Sequence, residues 1–234
     1  SFWADYQWFS SLGRSGVYTR QMGLKVLLFV VVAAIAFVSV WAAATAAYRV
    51  RPTVVRDARH PLDSIADALE QTRRLLFIVI PALFALVMGL TASTHWRLYL
   101  LWRNATPGGA LDPQFGRPTS FYMFTLPFYT WVVGTVMAIV VVAGLANAGV
   151  HYLYGGLRAA GVRTSAPRAR AQLMFFLGAF TLLKAWSYWL DKFWLATKSD
   201  SLITGLRYTD VHALAPAKNM LTYIAIATGV LFLV

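Results

Sequence analysis

Five strongly apolar stretches decide what this chain can fold into: Leu24–Tyr48, Leu75–Thr91, Pro127–Val150, Ala171–Leu195 and Asn219–Val234. A helix rises about 1.5 Å per residue, so roughly twenty residues cross a hydrocarbon core about 30 Å thick. The expected fold is all-α, a polytopic transmembrane helix bundle with about five spans and additional interfacial helices. Composition agrees. The 234 residues are 59% hydrophobic and 13% charged, against roughly 25% charged in a soluble domain. The absence of cysteine excludes disulfides, thiolate metal sites, iron–sulfur clusters and thiol nucleophiles. A net charge of +12 would suit a nucleic-acid binder, but the basic residues sit mainly between apolar runs, where arginine faces lipid phosphate. Membrane lipids are therefore the expected partners, and nucleic acid is not.

Residues 1–23 are rich in aromatics (Phe2, Trp3, Tyr6, Trp8, Phe9, Tyr18), which favour the headgroup level. They are expected to form an interfacial segment leading into the first span. That span is lined with small residues such as Ala36, Ala43 and Ala47, which let helix backbones approach closely in lipid. Arg49 to Arg74 is the most basic connection. Pro61 suits the first turn of a helix with Leu62, Ile65, Ala66 and Leu69 on one side and Asp63, Asp67, Glu70, Arg73 and Arg74 around the rest. Such a helix either lies along the membrane or extends the second span. Pro81 falls inside that span and is expected to bend it unless neighbours satisfy the freed carbonyl. His95–Arg103 alternates aromatic and basic groups as an interface segment does. The loop Asn104–Pro118 follows, and Pro127 sits at the start of the third span. The chain opens without an initiator Met and stops inside an apolar run, so a longer parent is expected, with flanking spans and further domains.

Basic residues alone do not orient the bundle. Residues 1–23, 97–120 and 191–218, with Lys25 at the span edge, carry ten, and residues 49–74 and 156–170 carry ten. The second set is crowded into two short connections, which favours the cytosol for those two.

Lys184 is the one formally charged residue deep in a span, and it must face the bundle or water. Tyr188 and Asp191 follow four and seven residues later on the same face. Two readings of the Lys184, Tyr188 and Asp191 stripe stay open: an ion or proton relay, and a structural lysine paired with another helix. Asp112, Asp191 and Asp210 fall at one end, near Lys192 and Lys218. Asp112, Asp210, His212 and Lys218 are a candidate loop network, structural or cation-binding. Asn147 and His151 form a small polar patch suited to an interhelical hydrogen bond. The four histidines are scattered, and no metal, phosphate-loop, dinucleotide or nucleophile-elbow motif occurs. No catalytic, cofactor or metal residue is assigned.

Six strings in order resemble one family, the large membrane proteins named uncharacterised protein family 0182, frequent in actinobacteria. They are Ala47-Tyr48-Arg49-Val50-Arg51-Pro52; Asp112-Pro113-Gln114-Phe115-Gly116 with Phe121-Tyr122; Leu126-Pro127-Phe128; His151-Tyr152-Leu153-Tyr154-Gly155-Gly156; Lys184 through Lys192; and Tyr208-Thr209-Asp210-Val211 with Pro216-Ala217-Lys218. Pro118, His212 and Ala215 depart from the family pattern. The resemblance implies a multi-pass protein of the bacterial plasma membrane. It also implies one span before residue 1, another after Val234, and a large extracytoplasmic domain. The crowded arginine connections are then cytosolic and loops 104–122 and 191–218 external. No activity comes with the family. The leading expectation is a non-catalytic module that anchors and supports the external domain in cell-envelope assembly, with membrane-protein or envelope partners. The alternative is a transporter or channel for an ion or envelope lipid along Lys184, Tyr188 and Asp191. A third possibility, an embedded enzyme, requires Asp112, Asp191, Asp210 and His212 to converge.

Overall fold

The computed structural model describes residues 2–51, 61–154, 167–199 and 205–234, with the backbone alone for Phe2 and for residues 61–69. Arg56, Arg59, His60, Arg158 and Arg163 lie outside the described residues, as do Pro52, Gly155 and Gly156 of the family strings. Among the described residues the regular structure is helical, with an isolated bridge between Leu111 and Pro118 in the loop that follows Arg103. The helices are α1 (Phe2–Ser11), α2 (Ser15–Arg49), α3 (Pro61–Thr94), α4 (Trp96–Arg103), α5 (Leu126–Leu153), α6 (Pro167–Trp194) and α7 (Ala215–Leu233). Wider π-type turns, Phe121–Thr125 and Asp210–Leu214, lead into α5 and α7. Five of these segments are long and apolar enough to cross a membrane.

The aromatic leader is divided rather than continuous. Gly13, at φ +67°, ends α1 in the left-handed conformation that glycine adopts without a Cβ clash. The chain turns there and α2 begins at Ser15. Tyr6 and Phe9 of α1 fold back on Tyr18 of α2, with ring centroids 6.1 and 5.5 Å apart. The basic connection resolves in favour of an extended span. Pro61 opens a helix that runs without interruption to Thr94, through the fully buried Pro81.

The five long helices form a row. α2 packs between α3 and α5, α5 between α2 and α6, and α6 between α5 and α7, giving the order α3–α2–α5–α6–α7. Lipid tails are as apolar as leucine, so contact in this solvent rests on close fit and on polar bonds between helices. The small residues of α2 provide that fit. Ala36 packs with Ala85 of α3 and Ile139 of α5, and Val40 and Ala43 pack with Ala143 of α5. Glycine does the same between α6 and α7. A Cβ on Gly178 would stand 2.8 Å from the Leu233 side chain and 3.0 Å from the Gly229 carbonyl oxygen. Ile35, Leu83, Val87 and Leu231 remain exposed on the outside of the row, as side chains against lipid do.

Candidate functional site

Polar groups gather in four places, each built by a different pair or trio of elements. The first is the seam between α6 and α7. Lys184 Nζ lies 4.6 Å from the centroid of the Tyr188 ring, one turn further along α6, a cation–π distance. Lys218, from the first turn of α7, stands 5.5 Å from the same ring and donates to Asp191 Oδ2 at 2.9 Å. Lys192 Nζ donates to Asn219 Oδ1 at 3.3 Å. The stripe that helical spacing draws on α6 is thus faced by residues of α7. Among the described residues, the Lys184 ammonium makes no ion pair or hydrogen bond; the Tyr188 ring face is its polar contact.

The second place is the loop-rich end. Asp112 closes its own loop: Oδ2 accepts from the Phe115 N–H (2.8 Å) and from the Tyr122 hydroxyl (2.9 Å). This Asx turn, with Gly116 at φ +62°, presents Phe115 edge-on to Phe193 of α6, 5.3 Å between centroids. The Arg117 guanidinium lies over Phe121 and Phe193. Trp194 Nε1 donates to Thr130 Oγ1 of α5 at 2.9 Å, and α4 is pinned to α5 by Trp102 stacked on Phe128 at 4.2 Å. Asp210, 3% exposed, accepts from the Arg207 N–H (3.0 Å) and from Lys198 Nζ (3.1 Å). His212 is exposed; its Nδ1 lies 3.0 Å from the Tyr208 carbonyl and its ring stacks on Tyr208. Asp112, Asp210, His212 and Lys218 therefore each hold a separate partner, and none of these contacts joins one aspartate to another. Among the described residues no three of His, Asp and Glu are grouped to hold a metal ion.

The third place is inside the bundle. Asn147 Nδ2 donates to the Ala43 carbonyl (3.0 Å) and to Gln172 Oε1 (2.8 Å), and His151 Nε2 donates to the same Gln172 oxygen at 2.9 Å. Gln172 Nε2 reaches the Ala46 carbonyl at 3.4 Å. One amide from α6 thereby ties α5 to α2. Asn147 and His151 are buried, and among the described residues Asn147 Oδ1 and His151 Nδ1 have no hydrogen-bond partner. Since His151 Nε2 donates, a neutral ring leaves Nδ1 as an acceptor.

The fourth place, where the arginine-rich connections leave the bundle, centres on Glu70. Tyr48 at the end of α2 donates to Oε1 at 2.6 Å, Arg73 donates to Oε1 at 2.7 Å, and Tyr154 just past α5 donates to Oε2 at 2.9 Å. Arg51 stands 3.6 Å from Oε1, an ion pair too long for a hydrogen bond. Its guanidinium carbon lies 4.0 Å from the Tyr48 ring centroid, and that of Arg73 lies 4.1 Å from the same centroid. The Tyr48 ring thus meets two cations while its hydroxyl serves the carboxylate. Burial, then the bond to Glu70 and its negative charge, raise the Tyr154 phenol above its ordinary pKa against the pull of Arg51 and Arg73. Sequence reasoning placed Glu70 on the polar side of a helix and missed this convergence. One signal was present, since Glu70 is the only glutamate of the chain, and Tyr48, Arg51 and Tyr154, which meet it, belong to two of the six family strings.

A row of long apolar helices with polar ties between them and charged groups gathered at the ends defines a polytopic helical membrane protein. The particular family follows from comparison with known proteins: the chain belongs to the Uncharacterised protein family (UPF0182), whose model matches residues 1–234. A UPF0182 protein of Kineococcus radiotolerans is 40% identical over 235 residues, covering 98% of this chain and 23% of the relative. One from Streptomyces coelicolor is 38% identical over 240 residues, 99% of this chain and 24% of the relative. One from Frankia alni is 37% identical over 233 residues, 98% and 23%. The chain thus spans about a quarter of the length of these relatives. No solved structure matches it.

Proposed function

We propose that this chain is the membrane-embedded platform of a longer protein, anchoring and supporting an extracytoplasmic domain that serves cell-envelope assembly in the plasma membrane of an actinobacterial-type cell. The observation that carries this reading is the order of the loop-rich end. Asp112 with Tyr122, Phe115 and Arg117 with Phe193, Trp194 with Thr130, and Asp210 with Lys198 fasten its loops onto the ends of α5, α6 and α7. Chain segments that only connect spans need no such fastening, whereas a base for another domain does. The test uses the full-length protein with spin labels on loop 104–120 and on the external domain. Asp112→Asn with Phe115→Ala is expected to leave the helices inserted, broaden the interdomain distances, and reproduce the envelope defect of a deletion. An unchanged narrow distance distribution, with the loop demonstrably loosened, overturns the reading.

The Lys184 ammonium favours a second reading, transport of an ion or envelope lipid, because it lies deep in a span with an aromatic face and no counter-charge among the described residues. A Lys184→Met variant that inserts and melts normally yet abolishes the envelope function replaces the platform reading with this one.

A further inference from the structure

We infer that an anionic phospholipid binds in the groove between α3 and α5, one acyl chain lying over α2 and the phosphate received by Arg73 and Arg51. The groove has a volume of about 390 Å³ and is walled almost entirely by apolar side chains, within the roughly 300–1,000 Å³ range of small-molecule sites. Val40 and Ala44 form its floor, Ile80 and Pro81 one side, and Ala146 and Gly149 the other. Arg73 and Tyr154 stand at its mouth.

Depth and charge select the occupant. From Tyr48 back to Val40, from Arg73 to Pro81 and from Tyr154 back to Ala146, each segment advances eight residues along the wall. At 1.5 Å per residue that is about 12 Å, most of the roughly 15 Å half-thickness of a bilayer core. A single acyl tail fills such a space, entering from the headgroup level where Tyr48 and Tyr154 sit.

At that level two guanidinium groups share one carboxylate, and two tyrosine hydroxyls already occupy the same Glu70 oxygens. Among the described residues, Arg51 Nη1 is buried with no hydrogen-bond partner. The Arg73 guanidinium makes one hydrogen bond, through Nη1 to Glu70, among the described residues. Among the described residues, one positive charge and several N–H donors are left over beside the mouth of an apolar slot. A phosphate monoanion supplies the missing charge and acceptors in the fork geometry that arginine prefers. A zwitterionic headgroup brings its own cation and satisfies the site less well.

The inference is independent of the platform reading, because it concerns the opposite end of the bundle. Its test uses the full-length protein in phosphatidylcholine vesicles containing a minor fraction of phosphatidylglycerol with a photoreactive group near the end of one acyl chain. Irradiation is expected to place adducts on the groove walls around Ile80 and Ala146. The parallel probe, phosphatidylcholine carrying the same tail, is expected to label these walls about five-fold less, the worth of one basic residue at an anionic headgroup. Gly149→Leu fills the slot and keeps both arginines in the chain, and a Cβ at 149 meets nothing within 4 Å. It is expected to abolish the labelling while melting as the parent does. Equal labelling by the two lipids overturns the inference, as do adducts scattered over the outer faces of α3 and α7. Labelling unaffected by a folded Gly149→Leu variant also counts against it. So does a photoreactive residue at position 80 that joins the groove to another segment of the protein and excludes lipid. The comparison of the two lipids on the unaltered protein keeps the test decisive even if the variant fails to fold.

Discussion

The two ends of the bundle use charge in opposite ways. At the arginine-rich end, one carboxylate, Glu70, holds residues from the end of α2, from α3 and from just past α5. At the loop-rich end, three carboxylates each hold a partner of their own: Asp112 the Tyr122 hydroxyl, Asp191 Lys218 and Asp210 Lys198. The first arrangement concentrates three helices on one group. The second distributes its ties, so that losing any one frees one segment. A convergent hub therefore behaves as a unit in mutation, whereas distributed pairs behave additively.

The sharpest way to break this comparison is Glu70→Ala. Among the described residues it leaves two guanidinium groups without a counter-charge and two tyrosine hydroxyls without an acceptor. For a carboxylate about one-third exposed (35%), the loss is expected to be about 2–3 kcal/mol. The full-length protein in detergent is expected to melt in one earlier transition, since three helices lose the same partner. A melting shift no larger than that of a single loop-end variant removes the claim that Glu70 is a hub.

Asp210→Asn comes next and is expected to act locally. The side chain is buried against the protein and loses the charge in its bonds to the Arg207 N–H and to Lys198. Hydrogen exchange at the Arg207 amide should quicken about ten-fold while amides in the middle of α5 stay protected. Loss of protection throughout the bundle would mean that the loop-rich end is as convergent as the other.

The five spans were legible because length and hydropathy alone fix a membrane helix. The order of the row was not. On α2, Ala36 and Ala43 are buried whereas Ala34 and Ala42 are exposed; all are equally small, and composition does not tell a helix-facing alanine from a lipid-facing one. The polar stripe on α6 is a matter of spacing, since residues four and seven apart share a face. That Lys218 faces it from α7 depends on the close approach at Gly178 and Gly229, 51 residues apart, which no local pattern signals. The Glu70 hub gathers Tyr48, Arg51, Arg73 and Tyr154 from three segments. A helical wheel shows Glu70 merely as one more charge on a polar side.

A smaller effect separates an isolated pair from the Glu70 hub and from the buried Asp210. Asp191 and Lys218 are 35% and 28% exposed, so water screens them, and a double-mutant cycle with Asp191→Asn and Lys218→Met is expected to give about 0.5 kcal/mol. A coupling above about 2 kcal/mol would mark the α6–α7 seam as a second hub and draw the Lys184 stripe into it.

The smallest expected effect tests the hub by pH. The Tyr154 phenol has a raised pKa in the folded protein, so its neutral form is the one the fold favours. The stability it contributes is complete below the ordinary tyrosine value, about 10, and declines as pH climbs through that value towards the folded one. The tyrosinate absorbance that distinguishes the parent from Tyr154→Phe should therefore appear later in an alkaline titration than that of a free phenol. In a Glu70→Gln background the carboxylate charge is gone while the two arginines remain, so the same signal should move to lower pH. A titration unchanged by Glu70→Gln would mean that burial alone sets Tyr154, and that its bond to the carboxylate adds nothing to the convergence.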